Sequence, residues 1–228
     1  MKRLWPSFLP SNMLRPIAVL SGMGVLVVIT SFVLPWQYLI MRYAILWNVF
    51  LAALPLVFAC LIAFAVKRGF RWYGQVLLWL LWIGFFPNAI YMLTDLIHLN
   101  MRQYKIAGAF SSEPSVWFAL MHLVAAIAVG CGFGLLSLWL LHRVTAKKNA
   151  ALGWALAAGA SGLSGIGIWL GRCLRFNTWD IWQRPLHLIQ EIFAQIDRSA
   201  ILLSIIFALM TFGAYALVWS FMGKEEHA

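Results

Sequence analysis

Six stretches of about 20 apolar residues, each closed by charge, proline or a polar connector, constrain this chain more than any motif in it. A helical run of that length, rising about 1.5 Å per residue, matches a hydrocarbon core of about 30 Å. The stretches lie at residues 16–35, 44–66, 72–93, 116–141, 150–171 and 199–222. Inside a bilayer only helices and closed barrels satisfy every backbone N–H and C=O, and continuous runs without strict alternation are helical. The expected fold class is therefore all-α: one polytopic transmembrane helix bundle of six spans over residues 1–228, with short interfacial helices. Only 11% of the residues are charged, far below the roughly 25% that covers a water-soluble domain.

The formal net charge of +10 reads as an orientation signal, because polytopic proteins hold their excess Lys and Arg in cytoplasmic loops. No basic block is interleaved with aromatics on a soluble segment, so nucleic acid is not an expected partner. Cys60, Cys131 and Cys173 are odd in number and lie in or at the ends of apolar runs. They indicate neither a disulfide framework nor a zinc cluster, and read as small buried side chains. Lys2, Arg3 and Arg15 precede the first run, which is too long for a signal-peptide core and has no small-x-small cleavage site after it. The first run is thus a spanning helix with its N-terminus inside.

The third span meets Pro87 after 16 residues, or about 24 Å, short of the bilayer core. It must continue past the proline, tilt little, or break within the membrane, and a break would raise the apparent span count to seven. Beyond it, Asn88, Tyr91, Asp95 and His98 fall at steps of three, four and three, which on an α-helix make one polar stripe. The stripe is either the wet side of an interfacial helix or a ligand-facing surface. Asp95 and His98 have the i,i+3 spacing to share a metal or a proton. No metal or other cofactor is expected on balance.

His122 lies in the first turns of the fourth span, where a lone His is usually bonded to a neighbouring helix; Asn48, one turn into the second, reads the same way. Gly130 and Gly134 permit close helix contact in the fourth span. The fifth is the richest in small residues (Gly159, Ser161, Gly162, Ser164, Gly165, Gly167) and is expected at the centre of the bundle. It closes on Gly171–His187, which gathers Arg172, Arg175, Asn177, Asp180, Arg184 and His187 in a chain otherwise poor in charge. Each Arg or Asp at mid-membrane costs on the order of 2.5–3.5 kcal/mol unless paired or hydrated. Asn177, Thr178, Trp179 and Asp180 resemble a helix start, with Asn177 as cap and Arg184 four residues after Asp180. An amphipathic interfacial helix is expected over about 178–197.

With six spans and the N-terminus inside, Lys2, Arg3, Arg15, Lys67, Arg68, Arg71, Arg143, Lys147, Lys148 and Lys224 are cytoplasmic. Both termini then face the cytoplasm. Asn48, Asn88, Asp95, His98, His122, Arg172, Arg175, Asn177 and Asp180 come out together at the extracytoplasmic end, from four helices. The inner half carries no comparable set. Such convergence marks a site better than any single motif.

LWNVFLAALPL (Leu46–Leu56), FFPNAIYMLTDLIHL (Phe85–Leu99) and GRCLRFNTWD (Gly171–Asp180) resemble the bacterial membrane family described as domain of unknown function 1361, over about Leu46 to Trp182. The resemblance implies a multi-pass protein of the bacterial plasma membrane and carries no settled activity.

Three functions fit the residues. The first is binding or carriage of an anionic lipid or lipid-linked phosphate. In it Arg172 and Arg175 hold phosphate, Asn88, Tyr91, Asp95, His98, Asn177, Trp179 and Asp180 complete the site, and Asn48, His122 and Arg184 support it. The second is a membrane-embedded hydrolase or transferase on a lipid-linked substrate, drawing on Asp95, His98, His122, Asp180 and His187. No HExxH, HxxxH, GxSxG or paired-Cys signature accompanies it. The third is a structural or assembly subunit whose charges neutralise one another. Membrane lipids are the expected partners; protein partners are not indicated by any residue pattern.

Overall fold

The computed structural model describes residues 9–33, 39–98, 105–106, 109–174, 183 and 185–222. Helix α1 covers Ser11–Ser31, α2 Leu39–Lys67 and α3 Trp72–Tyr91, which passes directly into a 3-10 helix at Met92–His98. A two-residue antiparallel hairpin follows, β1 (Lys105–Ile106) and β2 (Ala109–Phe110), with Lys105 opposite Phe110. Then come α4 (Pro114–Ala146), α5 (Ala150–Arg172), α6 (Pro185–Gln195) and α7 (Arg198–Met222). Six of these helices are long and apolar enough to cross a membrane, as a multi-pass membrane protein requires. Helices α2 and α4 extend past both ends of their apolar runs, and others past one end, where a polar residue in the terminal turn can face the headgroups. Thus α1 starts at Ser11, five residues before Pro16.

Pro87 neither ends nor breaks α3, which runs on to Tyr91. Room for the proline comes from α5: a Cβ placed on Gly167 would lie 2.7 Å from Pro87 Cβ. The change of winding falls five residues later, at Met92. The six-span count therefore stands, and of the outcomes left open at Pro87 the helix takes continuation past it.

The central helix is α4, not α5. In its apolar stretch 67% of residues are buried, against 39% in α5, and α4 packs on α1, α2, α3, α5 and α7. Lipid offers no hydrophobic drive between helices, so close backbone approach decides who sits inside. Gly130 and Gly134 give α4 that approach: a Cβ on Gly130 would collide with Met92 Sδ, and one on Gly134 would lie 2.6 Å from Ala89 Cβ. The buried Trp82 of α3 donates from Nε1 to Ser137 Oγ on α4 at 3.1 Å, and Ser137 donates onward to Gly134 O at 2.7 Å. On α5, by contrast, Gly159 and Gly162 have nothing within 4 Å. Single glycines there serve single contacts: Gly167 faces Pro87 of α3, and on the side of α7 a Cβ on Gly165 would collide with the carbonyl oxygen of Ser204.

Of the expected interfacial helix the structure describes Pro185–Gln195, which exposes Leu186 and Phe193. Its proposed start at Asn177–Asp180 lies outside the described residues.

Alternation of the spans sorts the charges. Asn12 Nδ2 donates to Met222 O, so α1 begins where α7 ends. At that end stand Arg15, Lys67, Arg68, Arg71, Arg143, Lys147 and Lys148, with no carboxylate among the described residues. Asp95, Glu113, Glu191 and Asp197 all lie toward the other end.

Candidate functional site

At the carboxylate-bearing end three elements bring polar groups to one point. Asp95, 3% exposed, sits in the middle of the 3-10 helix. Its Oδ2 accepts from Asn48 Nδ2 on α2 at 2.8 Å, and its Oδ1 accepts from a terminal nitrogen of Arg172, the last residue of α5. Arg172 Nε donates to Thr94 Oγ1, and the Thr94 hydroxyl donates in turn to Tyr91 O at 2.6 Å. The guanidinium lies over the Tyr91 ring, 4.0 Å from the centroid. Arg172 is thus held on one edge by a carboxylate and a hydroxyl and on one face by a π-system. Its side chain is 18% exposed.

The winding of the segment explains the arrangement. Asn88, Tyr91, Asp95 and His98 do not form the α-helical stripe that their spacing predicts, because Met92–His98 is 3-10. At three residues per turn, Met92 and Asp95 share a face instead. Met92 fills the gap at Gly130 and so seats this face on α4. Thr94, absent from the sequence-derived set, enters the cluster through the same change of winding. An α-helical reading puts it off the stripe, and only its position beside Asp95 marks it.

Of the other predicted site residues, Asn88 donates from Nδ2 to Phe85 O on its own helix. His98 ends the 3-10 helix, and its side chain lies outside the described residues, as do Arg175, Asn177, Trp179, Asp180 and Arg184. His122 belongs to a second network, with α1. Its Nδ1 is 3.0 Å from Thr30 Oγ1 and its Nε2 is 3.1 Å from Ser31 Oγ. Both hydroxyls also reach carbonyls of their own helix, Leu26 O at 2.7 Å and Val27 O at 2.8 Å. A hydroxyl has one proton to give, so a neutral imidazole draws one of them away from its carbonyl. Among the described residues no three His, Cys, Asp or Glu side chains stand together as a metal would need.

The other end carries a set that the sequence reading missed. His142, 1% exposed on α4, is hydrogen-bonded through Nδ1 to Tyr215 Oη of α7 at 2.6 Å. Its ring stacks on Trp219 with centroids 3.9 Å apart and meets Trp154 of α5 edge-on at 5.0 Å. Gly153 lets α5 come this close, since a Cβ there would collide with the imidazole. The i,i+4 pair Tyr215 and Trp219 was the available signal. The imidazole fills its own aromatic enclosure, which makes this a packing joint. Tyr215→Phe is expected to cost about 1 kcal/mol, the net worth of one hydrogen bond, read as a lower unfolding temperature in detergent with helix content unchanged.

A family model described as Protein of unknown function (DUF1361) matches residues 47–213. No curated protein and no solved structure matches the chain.

Proposed function

We propose that this chain, which belongs to the DUF1361 family, binds or carries an anionic lipid or lipid-linked phosphate at the Asp95–Arg172 end. The observation that carries the reading is the fixed posture of Arg172. Three residues of one segment orient its guanidinium, and its side chain keeps 18% exposure. A planar fork held in this way recognises phosphate oxygens without first being ordered. In the sequence Arg175 and Arg184 add positive charge within twelve residues, against Asp180. The excess of Lys and Arg at the opposite end supports an orientation with that end and both termini cytoplasmic, in a bacterial plasma membrane, and the site extracytoplasmic. Membrane lipids, or a substrate linked to one, are the partners.

The test is Arg172→Ala compared with wild type in native mass spectrometry from detergent, after incubation with an anionic lipid. Wild type is expected to retain one anionic lipid that survives gas-phase activation, and the variant to lose it. Equal retention in both would refute the reading. A second reading has its own support: Asp95 takes hydrogen bonds from both Asn48 and Arg172, so the pair also satisfies itself. In that case the cluster is a clamp between α2, the 3-10 helix and α5. The exchange Asp95→Arg with Arg172→Asp then restores folding, and no lipid is lost with Arg172→Ala.

A further inference from the structure

The turn between α2 and α3 combines cations and exposed rings on a backbone that has little freedom. Gly69 takes φ +72°, Phe70 N–H bonds Ala65 O at 3.0 Å, and Gly69 N–H bonds Val66 O at 3.1 Å. This is the paired closure of a helix end by a left-handed residue. Gln75 Nε2 fixes the far side by donating to Phe70 O at 2.7 Å. The turn therefore presents Phe70, Trp72 and Tyr73 at 57%, 76% and 58% exposure on a set frame. Two exposed guanidiniums are interleaved with them. Arg68 lies over the Phe64 ring at 5.1 Å, and Arg71 lies over Tyr73 at 5.7 Å and donates to its Oη at 3.2 Å. Lys147 and Lys148, both exposed, stand in the α4–α5 turn at the same end, where no described carboxylate offsets them.

We infer that this end is a docking surface for anionic phospholipid headgroups. Phe70, Trp72 and Tyr73 sit at headgroup level, with Arg68, Arg71, Lys147 and Lys148 on the phosphates. The occupant follows from charge and amphipathy together. Four cations with no carboxylate at their end among the described residues call for an anionic partner. Trp72 and Tyr73, large rings with one polar edge, partition to the boundary between acyl chains and water, and the apolar Phe70 ring beside them turns to the acyl side. A soluble acidic protein would satisfy the cations and leave three rings unburied. The inference rests on the chain spanning a bilayer, and it concerns the surface opposite Arg172.

The experiment reconstitutes the protein in vesicles of equal phosphatidylglycerol and phosphatidylcholine, re-extracts it in mild detergent, and measures the ratio of the two lipids that remain bound. Wild type is expected to be enriched in phosphatidylglycerol at 50 mM salt and to lose most of that enrichment at 500 mM, since exposed charges are screened. The variant Arg68→Gln/Arg71→Gln/Lys147→Gln/Lys148→Gln is expected to lower the enrichment at least about fivefold, on the scale of one or more surface cations. Arg68→Lys/Arg71→Lys should keep it. Should the fourfold variant not fold, Lys147→Gln/Lys148→Gln on the exposed turn carries the test, with a drop of at least about twofold. Enrichment equal to wild type in the glutamine variants, or none in wild type, overturns the inference. Arg172→Ala removes a single retained lipid and leaves this salt-sensitive enrichment in place, so the two proposals fail separately.

Discussion

Asp95→Ala is expected to destabilise the folded protein by about 3 kcal/mol, the scale of breaking a buried ion pair from one side. The carboxylate is buried and joins α2 to α5 through Asn48 and Arg172. Its removal leaves the Arg172 guanidinium with Thr94 and the Tyr91 ring as its named contacts. The lower part of the usual range applies because Arg172 is 18% exposed and water or lipid phosphate can reach it. Asp95→Ala with Arg172→Met, which removes both charges, is expected to recover most of the loss. The measurement is thermal unfolding in detergent followed by circular dichroism. If Asp95→Ala melts with wild type, the pair contributes no stability and the clamp reading is lost with it.

The second large effect separates two glycines of one helix. Gly165→Ala sets a methyl group against backbone atoms of Ser204 and Ala208, and backbone atoms cannot rotate away. Helix α7 must move, at a cost of about 1–3 kcal/mol. Gly159→Ala, six residues earlier on the same helix, meets nothing within 4 Å. It should gain the helix preference of alanine over glycine, up to about 1 kcal/mol. The two variants are thus expected to shift the unfolding temperature in opposite directions. A fall of the same size in both would mean that the α5–α7 seam is not set by Gly165.

Fold class and span count were legible because bilayer thickness and backbone hydrogen bonding leave few alternatives for six long apolar runs. Asn48, Tyr91, Asp95 and Arg172 were legible as a group, since alternating spans put them at one end and buried charge in apolar surroundings needs a partner. Three features were not. The central place of α4 depends on which glycines meet another backbone, and Gly130 looks no different from Gly159 in the sequence. Thr94 depends on a change from α to 3-10 winding that the apolar pattern does not encode. The His142 enclosure draws Trp154 from α5 and Tyr215 and Trp219 from α7, and each ring alone reads as ordinary lipid-facing bulk.

The shift in winding at Met92 turns residue count into an angle. Each residue from there to His98 advances the chain about 2.0 Å and turns it about 120°. One alanine inserted between Met92 and Leu93 would swing the Asp95 carboxylate a third of a revolution and push it about 2 Å farther along the axis. Every member of the cluster would still be present, yet Asn48 and Arg172 would no longer share a partner. At this point in the chain, spacing specifies the site as firmly as chemistry does.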